Sequence, residues 1–247
     1  MHLHASGAVA PREASGRPLR WAATGRSGGV SRPPYDTLNL ADHVGDEREL
    51  VEVNRALLAR ELGVGGLAVM QAVHGAGVAV VSEPGSVPAV DALVTQVEGL
   101  GLLALAADCV PLALFGRDRR TVAVAHCGWH GLVVDVVGAV VSTMAALGTT
   151  VESAVLGPSI CGRCYAVPPE RAAEVARSVV GTAALTVCAD GQPGIDVAAG
   201  VVRRLTELGV PDITVDPACT AETRTLFSYR RDGRTGRQGM AVAMMGP

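Results

Sequence analysis

TVAVAHCGWHGLVVDVVGAVVSTMAALG, residues 121–148, is the stretch on which the fold turns. TVAVA (121–125) is an apolar run of strand length. LVVDVVGAVVSTMAALG (132–148) is too long for a strand and mostly apolar, so it predicts one buried helix ended by Gly148. Between them, Gly128 and Gly131 mark a tight turn from strand to helix. A buried strand running straight into a buried helix is the unit of a layered α/β architecture.

The flanking chain extends this pattern. DERELVEVNRALLARELG (46–63) predicts a helix: Leu50, Val53, Leu57, Leu58 and Leu62 share a face, acids occupy its first turn and Gly63 follows its end. Apolar runs of strand length are LAVMQAV (67–73), VAVVSE (78–83), DALVT (91–95), LLALAAD (102–108), VPLALF (110–115) and SAVLG (153–157). PERAAEVARSVV (169–180) and IDVAAGVVRRLTELG (195–209) predict two more helices, the first with proline in its opening turn. DITVD (212–216) and GMAVAMM (239–245) are late strands, and WAATGRSGGVSRPPYDTLNL (21–40) is mostly loop after a short strand. Together these predict an α+β fold, a layered α/β sandwich with mixed sheets. Residues 20–247 form a single domain in this reading, preceded by a polar, flexible tail over 1–19.

Composition narrows the function classes. The 247 residues are 49% hydrophobic and 18% charged, which suits a globular chain, and only 3% aromatic, so Val, Leu and Ala must build the core. A formal net charge of −3 and a pI near 6.1 argue against a general nucleic-acid or membrane-surface binder. No apolar run free of charge reaches membrane-span length, and the N-terminus lacks the apolar segment of a signal peptide. The six cysteines (109, 127, 161, 164, 188 and 219) read as reduced thiols of a cytoplasmic protein.

Three ligand-type side chains share one circumstance. His74 follows LAVMQAV, Cys109 follows LLALAAD and His126 follows TVAVA, each at the C-terminal edge of a strand. Two imidazoles and one thiolate suit zinc or copper, and three protein ligands leave a tetrahedral ion one open position. The alternative is a core cysteine with two hydrogen-bonded histidines. Cys127 is set apart by alternation: if His126 faces a site, its neighbour faces away, into packing. The turn GWHG either offers backbone amides to an anion or merely permits the tight turn. CGRC (161–164) has metal or redox spacing, yet Cys188 and Cys219 do not supply a second pair at that spacing, which favours a pocket-lining loop. SYRRDGRTGR (228–237) is a solvated basic hairpin or a substrate contact.

Six motifs in order, QAVHG (71–75), DALVT (91–95), ADCVPL (107–112), AHCGWHG (125–131), GPSICGRCY (157–165) and FSYRRDGRTGR (227–237), resemble those of the laccase-domain, or multicopper polyphenol oxidoreductase-like, family. The similarity runs from about residue 20 to the C-terminus and includes WAATGRSGGVS and NLADHVGD. The resemblance implies a purine nucleoside phosphorylase with adenosine deaminase activity. It also implies a metal site of His74, Cys109 and His126, with zinc as the cofactor and copper as the other possibility. Arg230 and Arg231, from the basic motif, and Arg26 and Asn39, from the N-terminal motifs, become candidate substrate contacts, as does His130. The family usually carries arginine where His130 stands; arginine is a permanent cation that grips oxyanions in a bidentate manner, whereas histidine titrates near neutrality.

Four readings follow. The first is a zinc-dependent enzyme acting on a small-molecule nucleoside and phosphate. The second is a copper-dependent polyphenol oxidase, for which His43, His74, His126 and His130 are too few outside the tail to build laccase copper centres. A thiol hydrolase with Cys109 as nucleophile is the third, and a non-catalytic zinc module the fourth. The oligomeric state and the role of Asp108 stay open at this level.

Overall fold

The computed structural model describes residues 3–9 and 18–246. Its first half runs β1 (Leu3–Val9), β2 (Leu19–Thr24), α1 (Arg48–Leu62), β3 (Gly66–Gln71), β4 (Val78–Val80), β5 (Gly85–Pro88), β6 (Ala92–Thr95), β7 (Leu100–Ala106), β8 (Val110–Gly116) and β9 (Val122–Cys127). Then come α2 (Trp129–Val133), α3 (Val136–Ala146), β10 (Val151–Leu156), α4 (Pro169–Ala176), β11 (Leu185–Val187) and β12 (Pro193–Ile195). The chain ends with α5 (Val197–Glu207), β13 (Asp212–Val215), α6 (Tyr229–Asp232) and β14 (Gln238–Met244). No helix among the described residues is long and apolar enough to cross a membrane.

Two six-stranded mixed sheets form the centre, in the orders β1-β2-β14-β7-β3-β5 and β13-β10-β8-β9-β6-β4. Strand alternation explains the layering. On β9, Val122 and Val124 pack with Leu102, Ala104, Met240 and Val242 of the other sheet, forming the layer between the sheets. Ala123 and Ala125 point the other way, into a core with Val137, Val140 and Met144 of α3 and Val201 and Leu205 of α5. On the far side, Leu103 and Leu105 of β7 meet Leu58 and Leu62 of α1. The result is an α/β/β/α sandwich, the expected α+β class. Central strands buried on both faces read as continuous apolar runs, which is why TVAVA and LLALA carry no polar alternation.

The structure departs from the sequence reading in several places. Leu3–Val9, expected as part of a tail, forms a strand paired antiparallel with β2, while 10–17 lie outside the described residues. The helix expected over 132–148 is broken into α2 and α3. Asp135 adopts a left-handed conformation (φ 58°), accepts the Gly138 amide at 3.0 Å and pairs with Arg204 at 2.6 Å. That cap starts a new helix instead of continuing the old one. The helix expected over 169–180 stops at Ala176, and the strands β5, β11 and β12 carry too little apolar pattern to be read in advance.

Candidate active site

The topology itself gathers the three ligand-type residues. β3 and β7 belong to one sheet, β4 and β8 to the other. His74 and Cys109 therefore lie in two of the crossovers that carry the chain from one sheet to the other. His126 lies on β9 opposite Pro111 of β8, in register with Val122 and Val124, so its ring faces the space between the sheets. The crossovers are sharp: His74 has φ 60° and Asp108 has φ 98°, conformations that non-glycine residues adopt rarely. Because the chain has already turned at Asp108, both Asp108 and Cys109 reach the same cavity. One donor atom each from His74, Cys109 and His126 lies within 4.8 Å of the others. The two imidazole rings meet edge to face at 4.7 Å between centroids.

Asp91, within the DALVT motif, holds the arrangement from beneath. Its fully buried carboxylate accepts the backbone amides of Val73, His74 and Gly75 at 3.3, 2.8 and 2.7 Å, which fixes the His74 crossover. It also lies 3.2 Å from His126 Nδ1. With Nδ1 turned to the carboxylate, Nε2 is the ring nitrogen that a metal could take in exchange for its proton. Burial opposes the charge on Asp91, but the His126 hydrogen bond and the Gly75 and Val73 amides hold its carboxyl below the usual range.

Cys109 and His126 reinforce each other electrostatically. Burial raises the pKa of the thiol, yet the charge and hydrogen bond of His126 and the hydrogen bond of His74 outweigh it and bring Cys109 down to about 6. Burial likewise opposes the imidazolium, but the Cys109 charge and the Asp91 hydrogen bond raise His126 to about 9. Both shifts express one shared attraction between a thiolate and an imidazolium. Cys127, by contrast, is fully buried on the helix side of β9, and burial pushes its thiol well up. Gly128 leaves room for the trio: a Cβ there would stand 3.0 Å from Cys109 Sγ and 3.2 Å from His74 Nδ1.

The trio opens into a cavity of about 600 Å³, a size suited to a small organic ligand. Cations and aromatics share its walls: Arg171 lies over Trp129 at 4.7 Å, Arg230 over Tyr165 at 4.9 Å and Arg237 over Tyr229 at 5.8 Å. His43 adds a further ring. Of the expected substrate contacts, Arg230 is in this wall, with its amide on Asp108 Oδ2 at 2.6 Å and its guanidinium on the Ala166 carbonyl at 3.0 Å. His130 is not in the wall; its Nδ1 lies 2.7 Å from the His74 carbonyl oxygen and so steadies the His74 crossover.

The other three expected contacts are not brought to the cavity. Arg26 spans Asp36 and Asp232. Asn39 is fully buried, with its amide group bonded to Ala41, Asp46 and the Arg237 backbone. Arg231 donates to the Thr220 and Leu226 carbonyls at 2.7 Å each. Asp108, whose role stood open, accepts from Thr220, Ser228 and the Arg230 amide, and ties the 219–230 segment to the β7–β8 crossover. Arg171, Arg237 and Tyr165 were missed as wall residues. Only Arg237 and Tyr165 carried a signal, by standing inside quoted motifs.

Comparison with known proteins agrees with this architecture. Residues 20–245 match the family model described as multi-copper polyphenol oxidoreductase laccase. The chain belongs to this family. A purine nucleoside phosphorylase of Streptomyces coelicolor is 49% identical over 221 residues, covering 87% of this chain and 90% of that protein. One from Mycobacterium bovis is 43% identical over 232 residues, covering 92% of each. Among solved structures, YlmD from Geobacillus stearothermophilus superposes with a TM-score of 0.85 at 28% identity, covering 97% of this chain and all of that one. Family membership implies metal binding, and the residues present fit a metal. A thiol already drawn toward its anion, a histidine oriented by a carboxylate and a second histidine within reach form a donor set for zinc or copper.

Proposed function

We propose that this chain is a zinc-dependent purine nucleoside phosphorylase that also deaminates adenosine. In this reading, adenosine, inosine or methylthioadenosine-type nucleosides and phosphate give the base and ribose-1-phosphate. The names of the relatives suggest the reaction class. The observation that carries the reading is the sharing of one cavity by the His74–Cys109–His126 trio and three arginines. Arg171, Arg230 and Arg237 would hold phosphate as charge-assisted donors, and the aromatic rings beneath them would offer flat surfaces to the purine and ribose. His74, Cys109 and His126 would hold zinc, with Asp91 and His130 as positioning residues behind the two histidines. When bound, zinc supplies a Lewis acid with an open fourth position and lowers the pKa of a water there, as deamination requires.

One observation favours a second reading. The Cys109–His126 ion pair is also the arrangement of a thiol nucleophile with its base. A cysteine held on zinc is not free to attack, so metal content separates the two. The laccase reading loses support because His43, His74 and His126 are the histidines in this wall, too few for a mononuclear copper plus a trinuclear cluster. The deciding experiment quantifies metal in purified protein and follows adenosine with phosphate by chromatography. Zinc in the trio, with inosine or ribose-1-phosphate formed and both lost in Cys109→Ala, is the expected result. Metal-free protein active on esters or amides, or nucleoside turnover unaffected by Cys109→Ala, would overturn it.

A further inference from the structure

A second group of ligand-type side chains lies outside the cavity wall. Cys161, Cys164, Cys219 and Glu222 each place a donor atom within 4.8 Å of the others. The group is built from two turns of the same design. Cys164 N–H donates to the Cys161 carbonyl at 3.0 Å, and Glu222 N–H donates to the Cys219 carbonyl at 3.2 Å. Each turn spaces two ligands three residues apart, Cys-x-x-Cys in one and Cys-x-x-Glu in the other, as in the paired knuckles of structural zinc sites. Backbone bonds clamp the turns together: Ser159 and Cys219 form a parallel bridge, Thr220 N–H donates to the Ser159 carbonyl at 3.0 Å, and Cys161 N–H donates to Cys219 Sγ at 3.3 Å.

We propose that Cys161, Cys164, Cys219 and Glu222 form a second metal site, a closed S3O site for zinc, independent of the trio. The donor count distinguishes it from a dithiol switch, because a disulfide consumes two thiols and gives no role to the third or to the carboxylate. All six cysteines are free thiols here. Four protein ligands leave no open position, so the site is structural and not catalytic. Its place in the fold gives it a task. The 161–164 turn leads directly into Tyr165 of the cavity wall, and Thr220 in the other turn bonds Asp108 at 2.6 Å. Arg231 also grips the second turn through the Thr220 and Thr223 carbonyls. A metal joining the turns would therefore clip the loop that carries Tyr165 of the cavity wall to the segment that Thr220 ties to Asp108.

The test loads full-length protein with zinc and, separately, with cobalt(II), comparing the wild type with Cys109→Ser, Cys161→Ser/Cys164→Ser and Glu222→Gln. Two equivalents in the wild type and one retained in Cys109→Ser are expected. In the Cys109→Ser background, the retained cobalt should show strong thiolate charge-transfer absorption, be held more weakly when Glu222→Gln is added, and lose that absorption when Cys161→Ser/Cys164→Ser is added. Glu222 is exposed, so its replacement keeps the proposal testable if the double cysteine variant fails to fold. A wild-type equivalent that is lost in folded Cys109→Ser with none remaining, or loss of two of these thiols to a disulfide in the purified protein, would each overturn the proposal. Since the second site is read in Cys109→Ser, its failure is distinguishable from failure of the trio.

Discussion

The molecule holds two convergences of thiol and ligand chemistry, and they are made in opposite ways. His74, Cys109 and His126 come from a strand and two sheet-to-sheet crossovers, over a carboxylate with no exposed surface. Cys161, Cys164, Cys219 and Glu222 come from two surface turns joined mainly by backbone hydrogen bonds. The first set is preorganised by the fold and opens onto a cavity lined with cations. The second lies outside that cavity wall and brings four donors of its own. Rigid positioning with an open coordination position is what catalysis needs; a closed set on loops suits stapling. Variants that separate the two groups test whether this division is real.

Cys109→Ala is the strongest such variant. It deletes the one thiolate donor of the trio, and nucleoside turnover should fall by roughly 10³-fold or more, the scale of several kcal/mol of metal-derived stabilisation. The thermal midpoint should move little by comparison, and metal at the surface turns should remain. Steady-state rates and metal analysis on the same preparation check this. Turnover near the wild-type level would break the comparison, because the preorganised set would then have no chemical role.

Next in size is the thiolate itself, examined in protein stripped of metal. Cys109 falls from the ordinary thiol value of 9.0 to about 6, so its contribution to stability is complete above 9 and is lost as pH drops through 6. His126 rises from 6.5 to about 9, so its contribution is complete below 6.5 and is lost as pH climbs through 9. The two shifts share one attraction, counted once, and the ion pair therefore supports the metal-free fold chiefly between pH 6 and 9. Thiolate absorbance near 240 nm should titrate with a midpoint near 6 and move upward in His126→Ala. A midpoint unchanged by that substitution would sink the account of the pair.

Much of the first convergence was legible in the sequence, and the reason is topological. Strand ends are visible as the ends of apolar runs, and the three ligand types stand at three such ends. Alternation also separated His126 from Cys127 correctly, since a strand buried on both faces still assigns neighbours to opposite sides. What escaped depended on partners distant in sequence. The break at Asp135 needs Arg204, on a helix some 70 residues later. Asp91 stands in the quoted motif DALVT, but three backbone amides around a carboxylate leave no pattern of side-chain types to read. Cys219 has no second cysteine at the C-x-x-C spacing, and it is Glu222 that stands at that spacing instead. β1 (LHASGAV) is a short strand at a sheet edge, and its His, Ser and Gly interrupt any apolar run of strand length.

Asp91→Asn removes the support beneath the trio without touching a ligand. An amide keeps one acceptor oxygen, but its NH2 group must then face backbone N–H groups that lose their partner. Zinc affinity at the trio should weaken by roughly 10- to 100-fold, the usual range for a lost partner behind a metal ligand. Competition with a chelator measures it. Metal at the surface turns should be unaffected, and equal weakening at both places would mean a general loss of fold instead of a local loss of orientation.

Gly128→Ala is the smallest change and asks how tightly the first region is built. Gly128 has φ −93°, which any residue can adopt, so a backbone conformation reserved for glycine is not the reason it stands here. The reason is approach: an added methyl would meet Cys109 Sγ at 3.0 Å and His74 Nδ1 at 3.2 Å, closer than ordinary contact. Neither atom can yield freely. Cys109 is fixed to the β7–β8 crossover, and His74 is held at its amide by Asp91 and at its carbonyl by His130. Overpacking of this kind costs about 1–3 kcal/mol, and the strain falls on two of the three donors. The variant should therefore fold, retain metal at the surface turns and bind zinc at the trio roughly tenfold more weakly, a factor equivalent to about 1.4 kcal/mol. Unaltered affinity would mean that the trio shifts as a unit to admit the methyl, and that the first region is less rigid than its hydrogen bonds imply.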